Sequence, residues 1–312
     1  PVDAATQVVA VALRREGHVT DQALALQAPR EAGPVVTQVT VAAAQLPGQA
    51  AEAEAGRRTV RLLYFTYLVE KILAAAGHRV GVLDADIYGP SQPRMLGISG
   101  KPESKDGNTL EPMMSYHLQA MSIGFLIDEE TPMIWRGPMV TQALEQLLND
   151  TNWDELDYLV IDLPPGTGDT QLTLAQKVPV SGAIIVTTPQ DIALLDARKG
   201  FKMFEKVEVP ILGIVENMSI HICSQCGHEE HIFGEGGGQR MAEQYGVNFL
   251  GALPLEMRIR EETDSGKPTV VAEPESRPSM IYREIARKAA AKLARQAKSY
   301  ASKFPNIVIQ NT

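Results

Sequence analysis

The sequence predicts an α/β fold, a mostly parallel, doubly wound sheet with helices on both faces. Three observations carry that expectation. Short apolar runs of strand length recur along the chain: RVGVLDAD (79–86), LDYLVIDLPPG (156–166), GAIIVTTP (182–189), PILGIVENM (210–218) and NFLGALPL (248–255). Segments of helical length and period lie between them. The runs are apolar at nearly every position instead of alternating, as in parallel strands covered on both faces. Ligands in such sheets bind beyond the strand carboxyl ends, so the acids and glycines after 79–84 and 158–163 stand where chemistry is expected.

Taken in order from the N-terminus, residues 1–55 are rich in Ala, Val and Gln and carry no chemical motif. VVAVAL (8–13) and VVTQVTVAA (35–43) are strand-like, the second with Val35, Thr37, Val39 and Val41 on one side. Residues 1–55 are expected to be a small separate segment, either a remnant α+β domain or a leader, and residues 56–312 the main domain. Pro47-Gly48 followed by AAEAEAG reads as the linker. RLLYFTYLVEKILAAA (61–76) predicts a helix closed by Gly77 at C′. Pro90 and Pro93 stop the strand that follows and restrict its loop. ALEQLLND (143–150) and IALLDARKGFKMFEKV (192–207) predict further helices, and Ile281, Ile285, Ala289 and Leu293 mark one face of a closing helix.

A length of 312 residues suits one large α/β domain plus a small extra piece. The formal net charge of −9 argues against nucleic-acid binding, which needs a basic footprint. No stretch approaches the ~18 uninterrupted apolar residues of a membrane span. The N-terminal residues lack the basic start and long apolar region of a signal peptide. Only two cysteines occur, Cys223 and Cys226, and a secreted disulfide scaffold would carry more. The expected compartment is the cytoplasm.

Four motifs carry chemistry. In DYLVIDLPPGTGD an apolar run ends on Asp162, and an acid there can hold magnesium beside a nucleotide phosphate. The glycines that follow can turn backbone N–H groups toward that phosphate. DADIYGPS places Asp84 and Asp86 at another strand end, where one can support magnesium and the other orient an attacking water. VENMS closes a strand on Asn217, whose amide both donates and accepts. CSQCGH sets two thiolates two residues apart, a spacing that grips one metal from a tight turn but leaves a tetrahedral site half complete. Half a zinc ribbon, a redox pair and half of a shared cluster site all fit that spacing, and His221, His228 and His231 are near enough in sequence to complete a zinc site.

GHRVGVLDADIYGPSQPRMLG (77–97), PMIWRGPM (132–139), DYLVIDLPPGTGD (157–169), VENMS (215–219) and CSQCGHEEHIFGEGGG (223–238) together resemble the Mrp/ApbC family, P-loop NTPases that carry iron–sulfur clusters. The resemblance runs from about Gly77 to Leu293. It implies that Asp162 is the Walker B acid and that Pro164 to Asp169, with Pro165, Gly166, Gly168 and Asp169, form the second switch. It implies that Asp84 and Asp86 open the first switch and that Asn217 recognises adenine. It also implies ATP and Mg2+ as cofactors, with ATP binding and hydrolysis gating the loading and transfer of a 4Fe–4S iron–sulfur cluster held by Cys223 and Cys226 across a homodimer and passed to apo-protein clients. Two other readings are a non-hydrolysing metal scaffold of the same fold and a MinD/ParA-like positioning ATPase. The cysteine pair argues against the positioning ATPase.

One expected part is missing. A phosphate loop has the pattern G-x-x-x-x-G-K-[ST]. The family form should fall near 56–63, which here reads GRRTVRLL, with Leu62 and Leu63 where the lysine and hydroxyl belong. Both Gly-Lys pairs in the chain, Gly100-Lys101 and Gly266-Lys267, are followed by proline. Three accounts are open: a degenerate ATPase, phosphate binding by Arg57, Arg58 and Arg61, or a frameshifted or misassigned stretch. The abrupt start of similarity at Gly77 favours the last.

Overall fold

The computed structural model describes residues 7–13, 38–40, 78–127, 137–164, 180–223 and 225–301. Their strands are β1 (Gln7–Leu13), β2 (Gln38–Thr40), β3 (Val80–Asp84), β4 (Met113–Ser115), β5 (Leu118–Ser122), β6 (Tyr158–Asp162), β7 (Val180–Thr187), β8 (Ile211–Ile222), β9 (Glu229–Glu230) and β10 (Phe249–Leu255). The helices are α1 (Gln92–Met95), α2 (Gly137–Asn149), α3 (Asp191–Lys206), α4 (Gly237–Tyr245), α5 (Met257–Asp264), α6 (Thr269–Ala272) and α7 (Arg277–Ala301). The helix expected over 61–76 lies outside the described residues.

All these strands join one sheet, in the order β10-β8-β7-β2-β1-β6-β3-β5-β4, with β9 on β8. The pairs β3–β5, β3–β6, β7–β8 and β8–β10 are parallel, as the apolar runs predict. Val82, Leu83, Val160, Ile161, Ile184, Ile185 and Ile214 are fully buried, because helices cover both faces of the sheet. Phe204 of α3 and Ile285 and Ala289 of α7 close the core from the helical side. Gly213 stands where β8 meets β10 so closely that a Cβ would lie 2.5 Å from the Asn248 carbonyl oxygen.

Two pieces of residues 1–55 belong to this same sheet. β1 sits between β6 and β7 and runs antiparallel to both, pairing Val9 with Asp162 and with Ile184, and Leu13 with Tyr158. Its carboxyl end therefore lies beside the start of β6. The chain leaving β1 departs from the end of the sheet opposite Asp84 and Asp162. An apolar, β-branched run such as VVAVAL satisfies a central sheet position in either direction, and its sequence pattern does not choose between them.

Candidate functional site

β3 and β6 are adjacent parallel strands in register, so Asp84 and Asp162 end side by side. Both are fully buried, and Asp86 nearly so. Asp84 takes four donors: the Asp86 N–H on Oδ1 at 3.2 Å, and the Ser91 N–H, Gln92 N–H and Ser122 hydroxyl on Oδ2 at 3.0, 3.2 and 2.9 Å. Burial pushes its pKa up to about 7, the Asp86 charge adds to that rise, and the Gln92, Ser122 and Asp86 donors oppose it. Asp86 Oδ1 accepts from the Tyr88 and Gly89 N–H groups and so turns the chain into the following loop. Asp162 Oδ2 accepts from Gln92 Nε2 at 2.9 Å. Gln92 and Ser122 thus belong to the acidic strand ends. Sequence reasoning missed both, and the one available signal was Gln92 inside the GPSQP stretch after the acids.

Strand β8 runs toward the same end of the sheet, where Glu216 lies opposite Thr187 of β7. It then continues to Ile222, farther than the expected 210–218, because β10 and β9 supply partners beyond the sheet edge. The extension is bulged: Ala252 pairs with Glu216 but Pro254 with Ile220. Met218 within the bulge has φ +54°, a left-handed conformation rare for a side chain of its size. Asn217 is buried, and its Oδ1 accepts from the Met218 N–H at 2.9 Å. The buried Glu216 carboxylate accepts from the Ser219 hydroxyl and from the Gly238 N–H at the start of α4, both at 2.6 Å.

β8 and β9 form a hairpin in which His221 pairs with Glu230 and Ile222 with Glu229. Its turn holds the cysteines. The Cys223 N–H donates to the His228 carbonyl at 2.9 Å and the Gly227 N–H to the Cys223 carbonyl at 2.8 Å. Cys226 is exposed and Cys223 half-buried. The Cys223 thiol is held below its ordinary pKa, first by the Cys226 backbone N–H and then by the Gln225 N–H. The histidines do not converge on the pair. His221 Nδ1 donates to the Leu255 carbonyl and His231 Nδ1 to the Ser219 carbonyl. Among the described residues no three His, Cys, Asp or Glu side chains form a metal-holding group.

Pro165, Gly166, Gly168 and Asp169 lie outside the described residues, as does the stretch 56–63 where a phosphate loop would fall. Among the described residues no helix is long and apolar enough to cross a membrane. The resemblance drawn from the sequence implies ATP and Mg2+ at the strand ends. Asp84, Asp86, Asp162 and Asn217 have the chemistry for the magnesium and base portions of that group. β1, which pairs with both β6 and β7, runs in the wrong direction to lead a phosphate loop to them. The carboxylates and the amide therefore suit such a group in their chemistry, while β1 does not lead toward its phosphates.

Comparison with known proteins follows the same outline. The ParA family model described as NUBPL iron-transfer P-loop NTPase matches residues 64–290, beginning somewhat before Gly77. An iron–sulfur cluster carrier protein of Pseudomonas fragi is 61% identical over 216 residues, covering 69% of this chain and 75% of that protein. The carrier of Escherichia coli K12 is 59% identical over 222 residues, covering 71% of this chain, and the chain spans only 60% of that relative's length. The mouse iron–sulfur cluster transfer protein NUBPL is 50% identical, covering 66% of this chain and 65% of that protein. A nucleotide-binding protein of Archaeoglobus fulgidus, solved with ADP, superposes with a TM-score of 0.58 at 36% identity, covering 71% of this chain and 84% of that one. The cell-division ATPase MinD of Pyrococcus furiosus superposes at 0.54 with 19% identity, covering 77% of this chain and 95% of that one, a likeness of fold.

Proposed function

Because this chain belongs to the ParA-type NUBPL iron-transfer P-loop NTPase family, we propose that it is an iron–sulfur cluster carrier that receives a cluster on Cys223 and Cys226 and passes it to apo-protein clients. One observation carries the reading: the chain's only two cysteines are presented at the tip of a hairpin that projects past the carboxyl edge of the sheet.

The hairpin chemistry suits a cargo that must be both held and released. The N–H groups of Gln225 and Cys226 favour the thiolate at Cys223, the form that ligates iron. Exposed Cys226 is open to an incoming client thiolate, which can displace it from the cluster in a ligand exchange with no net redox change. Two thiolates are half of what a four-iron cluster takes. A second copy of the chain, related by a two-fold axis, supplies the other half from the same patch. The carrier is thus a homodimer, with its cargo at the axis.

ATP binding is implied by the fold. In this chain Asp84, Asp86 and Asp162 would face magnesium and water, Asn217 would face adenine, and Pro165, Gly166, Gly168 and Asp169 would form the switch beside the γ-phosphate. When bound, the nucleotide supplies the binding energy that gates loading and release. With no phosphate-loop lysine in the sequence, cluster holding and ligand exchange are assigned to the hairpin alone.

The test is transfer itself. Protein reconstituted anaerobically with iron and sulfide should restore activity to a client dehydratase stripped of its four-iron cluster. Cys223→Ala/Cys226→Ala protein should not. Restoration by the double variant at the wild-type rate would refute the carrier reading.

A further inference from the structure

We propose that Glu216 is a positioning residue for the cysteine hairpin: its buried carboxylate locks the bulge at Asn217–Ser219 to the start of α4 and so sets how Cys223 and Cys226 are presented. The proposal rests on reading that hairpin as the cluster-holding element.

Three hydrogen bonds close a ring around the hairpin's root, and two more brace it from outside. Glu216 accepts from the Ser219 hydroxyl on the outgoing strand at 2.6 Å. The Ser219 carbonyl accepts from His231 Nδ1 on the returning strand at 2.8 Å. The returning chain then runs through Gly234 to Gly238, and the Gly238 N–H donates back to Glu216 at 2.6 Å. On the outer side, the His221 ring is fixed to the Leu255 carbonyl at 3.0 Å and Arg277 to Glu229 at 2.9 Å.

The ring encloses a strained joint. Between the pairs Ala252–Glu216 and Pro254–Ile220, β8 carries Asn217, Met218 and Ser219 against Leu253 alone on β10. Met218 is left-handed at φ +54°. Such a conformation persists only where its surroundings over-determine it. Glu216 provides that constraint, since it flanks the distorted stretch at one end, binds Ser219 at the other and ties both to Gly238 of α4. Close approach is built into the glycines as well. A Cβ at Gly238 would lie 3.1 Å from the Glu216 Cβ, and one at Gly237 would lie 2.7 Å from the Pro189 carbonyl oxygen. Glu216 also precedes Asn217 on the strand and ends in register with Thr187 of β7, so the joint lies between the sheet edge and the hairpin. Groups that orient first ligands in this way ordinarily alter metal affinity when removed.

Ser219→Ala removes one arm of the ring, and Glu216→Gln keeps an acceptor for Gly238 but turns a donor on Ser219, so that arm must reverse and loses its charge-assisted strength. Reconstituted Ser219→Ala and Glu216→Gln proteins should lose their cluster to a chelator ~10-fold faster than wild type. The electron paramagnetic resonance line shape of their reduced cluster should change. Ser219→Thr, which keeps the hydroxyl, should restore both readouts, which a generally loosened fold would not allow. In metal-free protein the same two variants should alkylate Cys223 at a rate different from wild type, a readout independent of cluster uptake. Failure of wild type to take up a cluster counts against the carrier reading, and the alkylation rates then decide the positioning role alone. If Glu216→Gln does not fold, Ser219→Ala and Ser219→Thr decide it. Folded variants with wild-type cluster loss, line shape and alkylation rate would overturn the proposal.

Discussion

Asp84 and Asp162 end neighbouring parallel strands in register, and Gln92 joins them, its backbone N–H on Asp84 Oδ2 and its side-chain amide on Asp162 Oδ2 at 2.9 Å. Two fully buried carboxylates this close are costly unless their charge is countered. Protein donors counter it in part at Asp84, and burial still raises its pKa to about 7.

That rise has a definite pH signature. An acid whose native pKa exceeds its unfolded value binds more protons in the native state between the two. Its contribution to stability is therefore present at low pH and lost as pH rises from about 4 through about 7. Urea midpoints should fall across that window, and Asp84→Asn should flatten the slope. A wild-type midpoint that rises from pH 4 to 7, with the same rise in Asp84→Asn, would contradict this.

Removing the link between the two acids should also cost stability. Gln92→Ala deprives Asp162 of its amide partner and should destabilise the protein by about 1–3 kcal/mol, read from denaturant unfolding. A loss below the error of the measurement would mean that other donors replace the amide.

Nucleotide turnover is expected near background. Charge neutralisation of the phosphates and placement of magnesium both need the absent lysine and hydroxyl. Steady-state phosphate release from protein of confirmed mass should match a no-enzyme control. Ordinary turnover that disappears in Asp162→Ala would show that another part of the chain supplies the phosphate grip.

Cys223 should be the faster of the two thiols to alkylate in metal-free protein at neutral pH. Its thiolate is favoured by the Cys226 and Gln225 N–H groups, so its iodoacetamide pH profile should have a midpoint below that of a cysteine in a short peptide. Peptide mapping after timed alkylation reads this directly, and equal labelling of the two positions would argue against those N–H···S contacts.

Much of this arrangement was legible in the residues. The apolar runs ending in Asp84, Asp162 and Asn217 marked parallel strands and put the acids at their carboxyl ends, and the C-x-x-C spacing marked the turn. The extension of β8 to Ile222 was not legible, because β10 and β9 stabilise it through pairings distant in sequence. Glu216 read as one more polar residue in a strand end, since its partners Ser219 and Gly238 meet it only after the bulge and the return of the chain. The central position of VVAVAL was equally hidden. Its period fits any strand, and its place between β6 and β7 depends on what else can occupy that slot.

The central claim is that two chains share one cluster through Cys223 and Cys226. Iron and sulfide analysis of anaerobically reconstituted protein, combined with its mass by light scattering, tests it most directly. The account predicts about one four-iron cluster per two chains, held in a dimer that loosens when the metal is removed and is colourless in Cys223→Ala/Cys226→Ala protein. A strictly monomeric protein with one metal ion per chain, or a double variant that keeps its full iron content, would contradict it.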